Sequence, residues 1–84
     1  MAEKKIGVIS HYFNHLGVGI IGLSAPLKVG ETIRIKGAHD DFTQTVDSMQ
    51  VEHCNVEEAN AGDAVGVKVS QKVHENDAVY KVTD

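Results

Sequence analysis

LKVGETIRIK, residues 27–36, is the stretch that decides the fold. Apolar side chains at Ile33 and Ile35 alternate with polar or charged neighbours. Strict alternation of this kind predicts a half-buried β-strand over residues 32–36. Gly30 stands just before the strand and predicts a tight turn, because glycine readily adopts the positive φ that many turns require.

The same alternation extends to most of the chain and predicts six short strands. A bulge near Asp47-Ser48 is expected within the fourth strand, where the apolar face changes side. Residues 55–63 are polar and predict at most one helical turn. Strands at roughly ten-residue spacing are typical of a sandwich or a barrel. The predicted strands are 5–12, 16–23, 32–36, 42–53, 64–70 and 78–82.

Composition supports an all-β domain. The 84 residues include 12 Val and 6 Ile but only 3 Leu, and β-branched residues favour strands over helices. This length allows one small domain. We therefore predict a polar N-terminal tail at residues 1–5 and a single domain over 6–84. The lone Cys54 and the absence of a long apolar run predict a cytoplasmic protein that does not enter a membrane.

Two nucleotide-binding patterns can be set aside. Gly17, Gly19 and Gly22 have the G-x-G-x-x-G spacing, but they lie in a Val/Ile run with no helix after it, which the dinucleotide site requires. These glycines instead predict bulges or sharp coiling of a strand. No P-loop motif is present. We expect no nucleotide, no cofactor and no catalytic activity.

A metal- or thiol-dependent enzyme is the weakest hypothesis. His11, His15, His53 and Cys54 are the side chains that could supply a site. Zinc needs four converging nitrogen or sulfur ligands, and no C-x-x-C pair is present to anchor them. We therefore interpret the histidines as polar loop and strand residues, and we expect Cys54 to pack as a small apolar side chain.

Two groups of residues are candidates for partner contact. Aromatic side chains stand at the predicted tip of the first hairpin, and exposed aromatics suit a protein or RNA partner. A locally basic group on and near the third strand could contact phosphates. The candidate partner-binding residues are Tyr12, Phe13, His15, Lys28, Arg34, Lys36 and His39.

The order of the motifs resembles the second domain of translational GTPases such as elongation factor Tu and initiation factor 2. The resemblance covers about residues 6–82 and implies a closed six-stranded antiparallel Greek-key barrel. It also implies a non-catalytic module that engages RNA, the ribosome, tRNA or a translation protein. Asn76-Asp77 stands where the family more often has glycine, and Asn also accepts left-handed geometry. The motifs are Gly17-x-Gly19-x-x-Gly22, Leu27-Lys28-Val29-Gly30-Glu31-x-Ile33-x-Ile35-x-Gly37, Val46-x-Ser48-Met49-Gln50 and Ala61-Gly62-Asp63-Ala64-Val65-Gly66.

A second interpretation remains open. The GTPase domain is absent from this chain, the formal net charge is −4, and Arg34 is the single arginine. Proteins that hold nucleic acid through many phosphates usually carry a basic excess. The same barrel type also resembles the small C-terminal domain of collagenase-like peptidases. The alternative is therefore a protein–protein or oligomerisation module with no role in RNA binding.

Overall fold

The computed structural model describes residues 2–38, 41–52 and 54–83. These residues form ten antiparallel strands and no helix, which confirms the all-β prediction. The strands are β1 (Ala2–Phe13), β2 (Val18–Leu23), β3 (Leu27–Lys28), β4 (Thr32–Lys36), β5 (Asp41–Thr45), β6 (Met49–Val51), β7 (Cys54–Val56), β8 (Glu58–Ala59), β9 (Ala64–Lys68) and β10 (Ala78–Thr83).

Eight strands form one sheet in the order β5-β4-β10-β1-β2-β9-β6-β7, and β3 pairs with β8 in a second, small sheet. The first and last strands are neighbours in the main sheet, with Ala2 opposite Thr83. Both described ends of the chain therefore lie together. The turn between β1 and β2 lies at the opposite end of the molecule, because β1 runs the whole distance between them.

Apolar side chains from nearly every strand fill the space inside this curved sheet. Ile33 and Ile35 are fully buried, as the alternation in β4 predicts. Val65 and Val67 in β9 are also fully buried. Burial of β-branched side chains is the main stabilising contribution available to a domain of this size.

Three turns share one construction, and each leads into a strand. They are residues 28–31, 60–63 and 74–77. In each turn the fourth residue donates its backbone N–H to the carbonyl of the first, and its carboxylate accepts the N–H of the first. The third residue has φ of 95°, 93° and 73° respectively. Asn76 fills this position in the last turn, in the left-handed geometry that its sequence predicts.

The closed barrel is not found. The hydrogen-bonded ladder ends at β5 on one side and at β7 on the other, so the main sheet is open among the described residues. The predicted fourth strand breaks after Thr45 and resumes at Met49, close to the expected bulge. This break separates β5 from β6, and no ladder pairs the two.

Two local predictions are also corrected. The helical turn expected within residues 55–63 is wrong, since the chain there forms β7 and β8. Short polar strands at a sheet edge carry little apolar alternation, so their period is hard to read. Residues 2–5, predicted as a tail, are exposed but belong to β1 and pair with residues 80–83 of β10.

Gly7 is not among the glycines predicted to bulge or coil a strand, yet it lies where β1 changes register. The register between β1 and β10 shifts between Lys5 and Gly7. A Cβ atom at Gly7 would collide with the backbone oxygen of Gly22. The close approach of β1 and β2 therefore depends on Gly7, whereas the Cβ position of Gly22 meets nothing closer than 4.0 Å.

Candidate interaction surface

The turn between β1 and β2 holds two large apolar side chains in solvent. Leu16 N and Gly17 N both donate to Phe13 O, at 3.2 and 2.9 Å, and Gly17 has φ of 65°. Val69 N donates to Gly17 O at 2.9 Å and ties the turn to the chain after β9. Within this turn the exposed fractions are 42% for Phe13 and 67% for Leu16.

The ring of Phe13 contacts a histidine, which in turn lies near a carboxylate. His11 lies on the same face of β1 as Phe13, since side chains two apart in a strand point the same way. Their rings meet edge to face with centroids 4.5 Å apart. His11 Nδ1 lies 3.6 Å from Glu75 Oε1 in the neighbouring turn. These contacts orient Phe13 while leaving much of its ring open to solvent.

The hairpin tip is defined here as His11, Phe13, His15 and Leu16. Of the aromatic candidates, Phe13 and His15 are exposed at this tip, while Tyr12 is half-buried against the core and supports it. Three large apolar side chains are exposed among the described residues, and two of them belong to the tip. Exposed apolar side chains that lie together at one place are typical of a contact site.

Arg34, the candidate for a phosphate contact on β4, pairs with two carboxylates. Its Nε and Nη2 donate to the two carboxylate oxygens of Asp41, both at 2.8 Å, and its Nη1 lies 3.0 Å from Glu3 Oε2. Bidentate pairing of this kind is the strong form of the arginine–carboxylate contact. Arg34 therefore joins β4 to β5 and, across β10, to β1.

The same contacts shift the pKa values of the partners. The hydrogen bond from Arg34 lowers the pKa of Asp41, burial opposes the change, and the charges of Arg34 and Lys36 add to it. The hydrogen bonds that the Arg34 guanidinium donates to Asp41 and then to Glu3 raise its pKa. Arg34, Asp41 and Glu3 thus form an ion-paired cluster of one positive and two negative charges on the outer face of the sheet.

The remaining basic candidates do not join the tip. Lys28 lies beside the turn that precedes β4, with its Nζ 3.9 Å from Glu58 Oε2. Lys36 is exposed at the end of β4, near Asp41. His39 lies outside the described residues. The described basic candidates therefore lie on β3 and β4, whereas the aromatic candidates lie at the end of β1 and in the turn after it.

The metal and thiol candidates are dispersed. Among the residues that the structure describes, no three His, Cys, Asp or Glu side chains are placed to hold a metal ion. His53 lies outside those residues. Cys54 is exposed on the edge strand β7, so the prediction that it packs in the core is wrong. The described part of the chain also has no helix long and apolar enough to cross a membrane.

Sequence reasoning missed two members of the hairpin tip as contact residues. Leu16 follows Asn14-His15. A large apolar residue inside a polar turn indicates an exposed apolar side chain that could contact a partner. His11 precedes Phe13 by two positions on one strand, so the period-2 rule already placed the rings side by side. The spacing of the histidines points to metal ligation, and it does not by itself indicate the contact between His11 and Phe13.

Sequence comparison relates this chain to a protease. No protein-family profile matches the chain. Over 77 residues it is 39% identical to an uncharacterised protease of Methanocaldococcus jannaschii, a match that covers 90% of this chain and 19% of the protease. The chain therefore spans about a fifth of the length of this relative.

Structural comparison shows which fold the strands form. The C-terminal domain of a U32 peptidase from Geobacillus thermoleovorans superposes with a TM-score of 0.89, over 95% of this chain and 93% of that domain, at 17% identity. The selenomethionine form of the same domain gives 0.86, over 90% and 96%, at 16% identity. At this level of identity the likeness establishes the fold.

The resemblance to translational GTPases is therefore wrong as a statement of kinship. The relative and the solved structures reported above are a protease and a peptidase C-terminal domain, not translation factors. The motifs behind that resemblance are glycine turns and alternating strands. Such motifs indicate how strands are connected. Unrelated small β-domains share the same turns and the same alternation. The findings favour the alternative interpretation, a module like the C-terminal domain of a peptidase, over a role in translation.

Proposed function

We propose that this chain is a non-catalytic protein-binding module that attaches to a peptidase of the U32 type through its hairpin tip. One observation carries the proposal: the chain matches one fifth of a protease, and its fold matches a domain described as C-terminal in a U32 peptidase. A segment of that size is too small to account for the whole protease. In this proposal the chain is cytoplasmic, as its lone cysteine suggests.

The hairpin tip supports a protein partner. Phe13 and Leu16 provide an aromatic and an aliphatic anchor, and buried anchors of this type carry most of the energy of protein interfaces. Both side chains are exposed on the turn between two strands, so the tip suits insertion into a pocket of a partner. It also lies opposite Ala2 and Thr83, so a partner at the tip does not obstruct the ends of the described chain.

The charge distribution also supports a protein partner. Arg34 is occupied by two carboxylates, and the net charge is −4. A partner that contacts the tip meets apolar and imidazole groups and needs no strongly basic surface on this chain.

The experiment uses the Methanocaldococcus jannaschii protease with its matched segment removed. We expect the purified 84-residue chain to bind this protein with a Kd in the micromolar range, about −8 kcal/mol, by isothermal titration calorimetry. We also expect the chain alone to leave fluorescently labelled casein intact. Hydrolysis by the chain alone would contradict the non-catalytic part of the proposal, and absence of binding at about 100 µM would contradict the partner.

A further inference from the structure

A second surface lies between β5 and the chain just after β9. An open groove of about 350 Å³ is found there, at the lower end of the size range of ligand pockets. The β5 groove is lined by Gln44, Thr45, Asp47, Lys68, Val69 and Ser70.

Gln44 occupies this groove in the manner of a peptide group. Its Nε2 donates to Lys68 O at 2.8 Å, and its Oε1 accepts the backbone N–H of Ser70 at 2.8 Å. These two backbone groups flank Val69. A residue of a neighbouring strand uses its own N–H and C=O to bond the same two groups, as in a parallel ladder. The carboxamide therefore stands in for one residue of an absent strand.

Among the described residues, no strand pairs on this side with the chain after β9. β9 pairs with β6 only at Gly66 and Val67. Beyond Val67 the ladder with β6 ends, and the backbone groups of Lys68 and Ser70 are satisfied by the Gln44 side chain. A side-chain amide can rotate away, whereas a ladder strand cannot.

The opposite wall, β5, is an edge strand. Val46 N donates to Glu31 O, and Val46 O accepts from Gly30 N, so the backbone groups of Val46 face towards β4. Backbone groups alternate in direction along a strand, so those of Thr43 and Thr45 face away from β4. Among the described residues no strand lies beyond β5. Unpaired edges of this kind are templates for strand addition.

We propose that the β5 groove binds an extended segment of a partner polypeptide, which displaces the Gln44 carboxamide and takes over its two backbone hydrogen bonds. A polypeptide is favoured over other ligands because the groups on offer are backbone donors and acceptors. Recognition of this type derives affinity from main-chain hydrogen bonds. The inference is independent of the hairpin tip, which it does not use.

The test is an NMR titration of the ¹⁵N-labelled chain with a capped pentapeptide of alternating threonine and valine. A matched peptide carries N-methyl groups on its central amides, so it keeps the side chains and loses the backbone donors. We expect the unmethylated peptide to shift the backbone amide of Ser70 and the side-chain amide of Gln44. The N-methylated peptide should shift neither.

The variant Gln44→Ala removes the internal competitor. Because a site that is open only part of the time has a proportionally weaker apparent affinity, this variant should bind the peptide about tenfold more tightly. Gln44→Met keeps the side-chain length, loses both hydrogen bonds and should also bind more tightly, which provides a second test if the alanine variant does not fold.

Four results would overturn the inference. They are shifts confined to residues outside the groove, equal binding of the methylated peptide, no gain in affinity in both Gln44 variants, and a doubling of the mass of the Gln44 variants in light scattering. The last would identify a second copy of this chain as the occupant.

Discussion

The carboxylate of Asp77 packs against Gly37, and a Cβ atom added at Gly37 would clash with Asp77 Oδ1. Asp77 is buried at 4% exposure, and its Oδ2 accepts the backbone N–H of His74 at 2.9 Å. The end of β4 thus packs on the turn that precedes β10. This turn also holds Glu75, the partner of His11 at the hairpin tip.

Gly37→Ala should destabilise the domain by about 1–3 kcal/mol, because the new methyl must displace a buried, hydrogen-bonded carboxylate. The measurement is urea denaturation followed by circular dichroism. Gly22→Ala is the control, since its Cβ meets nothing closer than 4.0 Å. A strand glycine replaced without a clash should leave stability unchanged or raise it by up to about 1 kcal/mol. Equal losses in the two variants would contradict the packing described for Asp77.

The turn at residues 74–77 makes a separate prediction about Asn76. Its φ of 73° lies in the left-handed region, which glycine enters freely and alanine does not. Asn76→Gly should leave the free energy of unfolding nearly unchanged, whereas Asn76→Ala should lower it by about 1 kcal/mol. Both values come from urea titrations with a common m-value. An alanine variant as stable as the glycine variant would show that this geometry is not required.

The Arg34–Asp41 pair predicts how stability depends on pH. The folded state lowers the pKa of Asp41 below its ordinary value of 3.8, so the pair stabilises the fold at higher pH. This contribution is complete above about pH 5 and is lost as the pH falls through the lowered pKa of Asp41. Asp41→Asn removes it. The stability difference between wild type and Asp41→Asn should therefore shrink on acidification from pH 5 to pH 2.

Thermal melts of the wild type and of Asp41→Asn between pH 5 and pH 2 measure this difference in stability. The change in the difference should be small, because the pair is solvent-exposed. Thr43→Val, on the same strand but without a charge, should shift stability by the same amount at every pH. A difference for Asp41→Asn that stays constant with pH would contradict the pairing of Asp41 with Arg34.

The hairpin tip should tolerate substitution without loss of stability. Leu16→Ser removes a side chain that is 67% exposed, so the free energy of unfolding should change by no more than about 0.5 kcal/mol. Tyr12→Ser provides the contrast. Because Tyr12 is half-buried against the core, its replacement should lower the free energy of unfolding by more. Urea denaturation of both variants measures the difference. A larger loss in Leu16→Ser than in Tyr12→Ser would mean that Leu16 belongs to the core.

The strands were predictable where one face is buried and the other is not. In β4 and β9 the alternation of β-branched and polar residues indicates which side chains face the core. The structure buries Ile33 and Val67, as expected. The three carboxylate turns were visible as Gly30-Glu31, Gly62-Asp63 and Asn76-Asp77. Local chemistry of this kind does not depend on distant contacts.

The open edge and the ion cluster were not predictable in the same way. Whether β5 pairs with a further strand depends on contacts with residues more than twenty positions away, such as Gln44 with Ser70. The pairing of Arg34 with Glu3 could not be predicted, because Glu3 is 31 positions distant in the sequence. Without that partner, Arg34 has the features of a phosphate ligand. The glycine motifs matched a translation-factor pattern because they encode turns, and turns carry no information about a partner.

The central claim is that the hairpin tip binds a protein. The most direct measurement compares the double variant Phe13→Ser/Leu16→Ser with Val29→Ser in calorimetric titrations against the Methanocaldococcus jannaschii protease that lacks its matched segment. Val29 is the matched control, because it is the third exposed large apolar side chain of the described residues, at 37%, and lies outside the tip. We predict that the double variant binds at least about tenfold more weakly than wild type, while Val29→Ser binds as wild type does. Equal affinity of the double variant and wild type would contradict the claim.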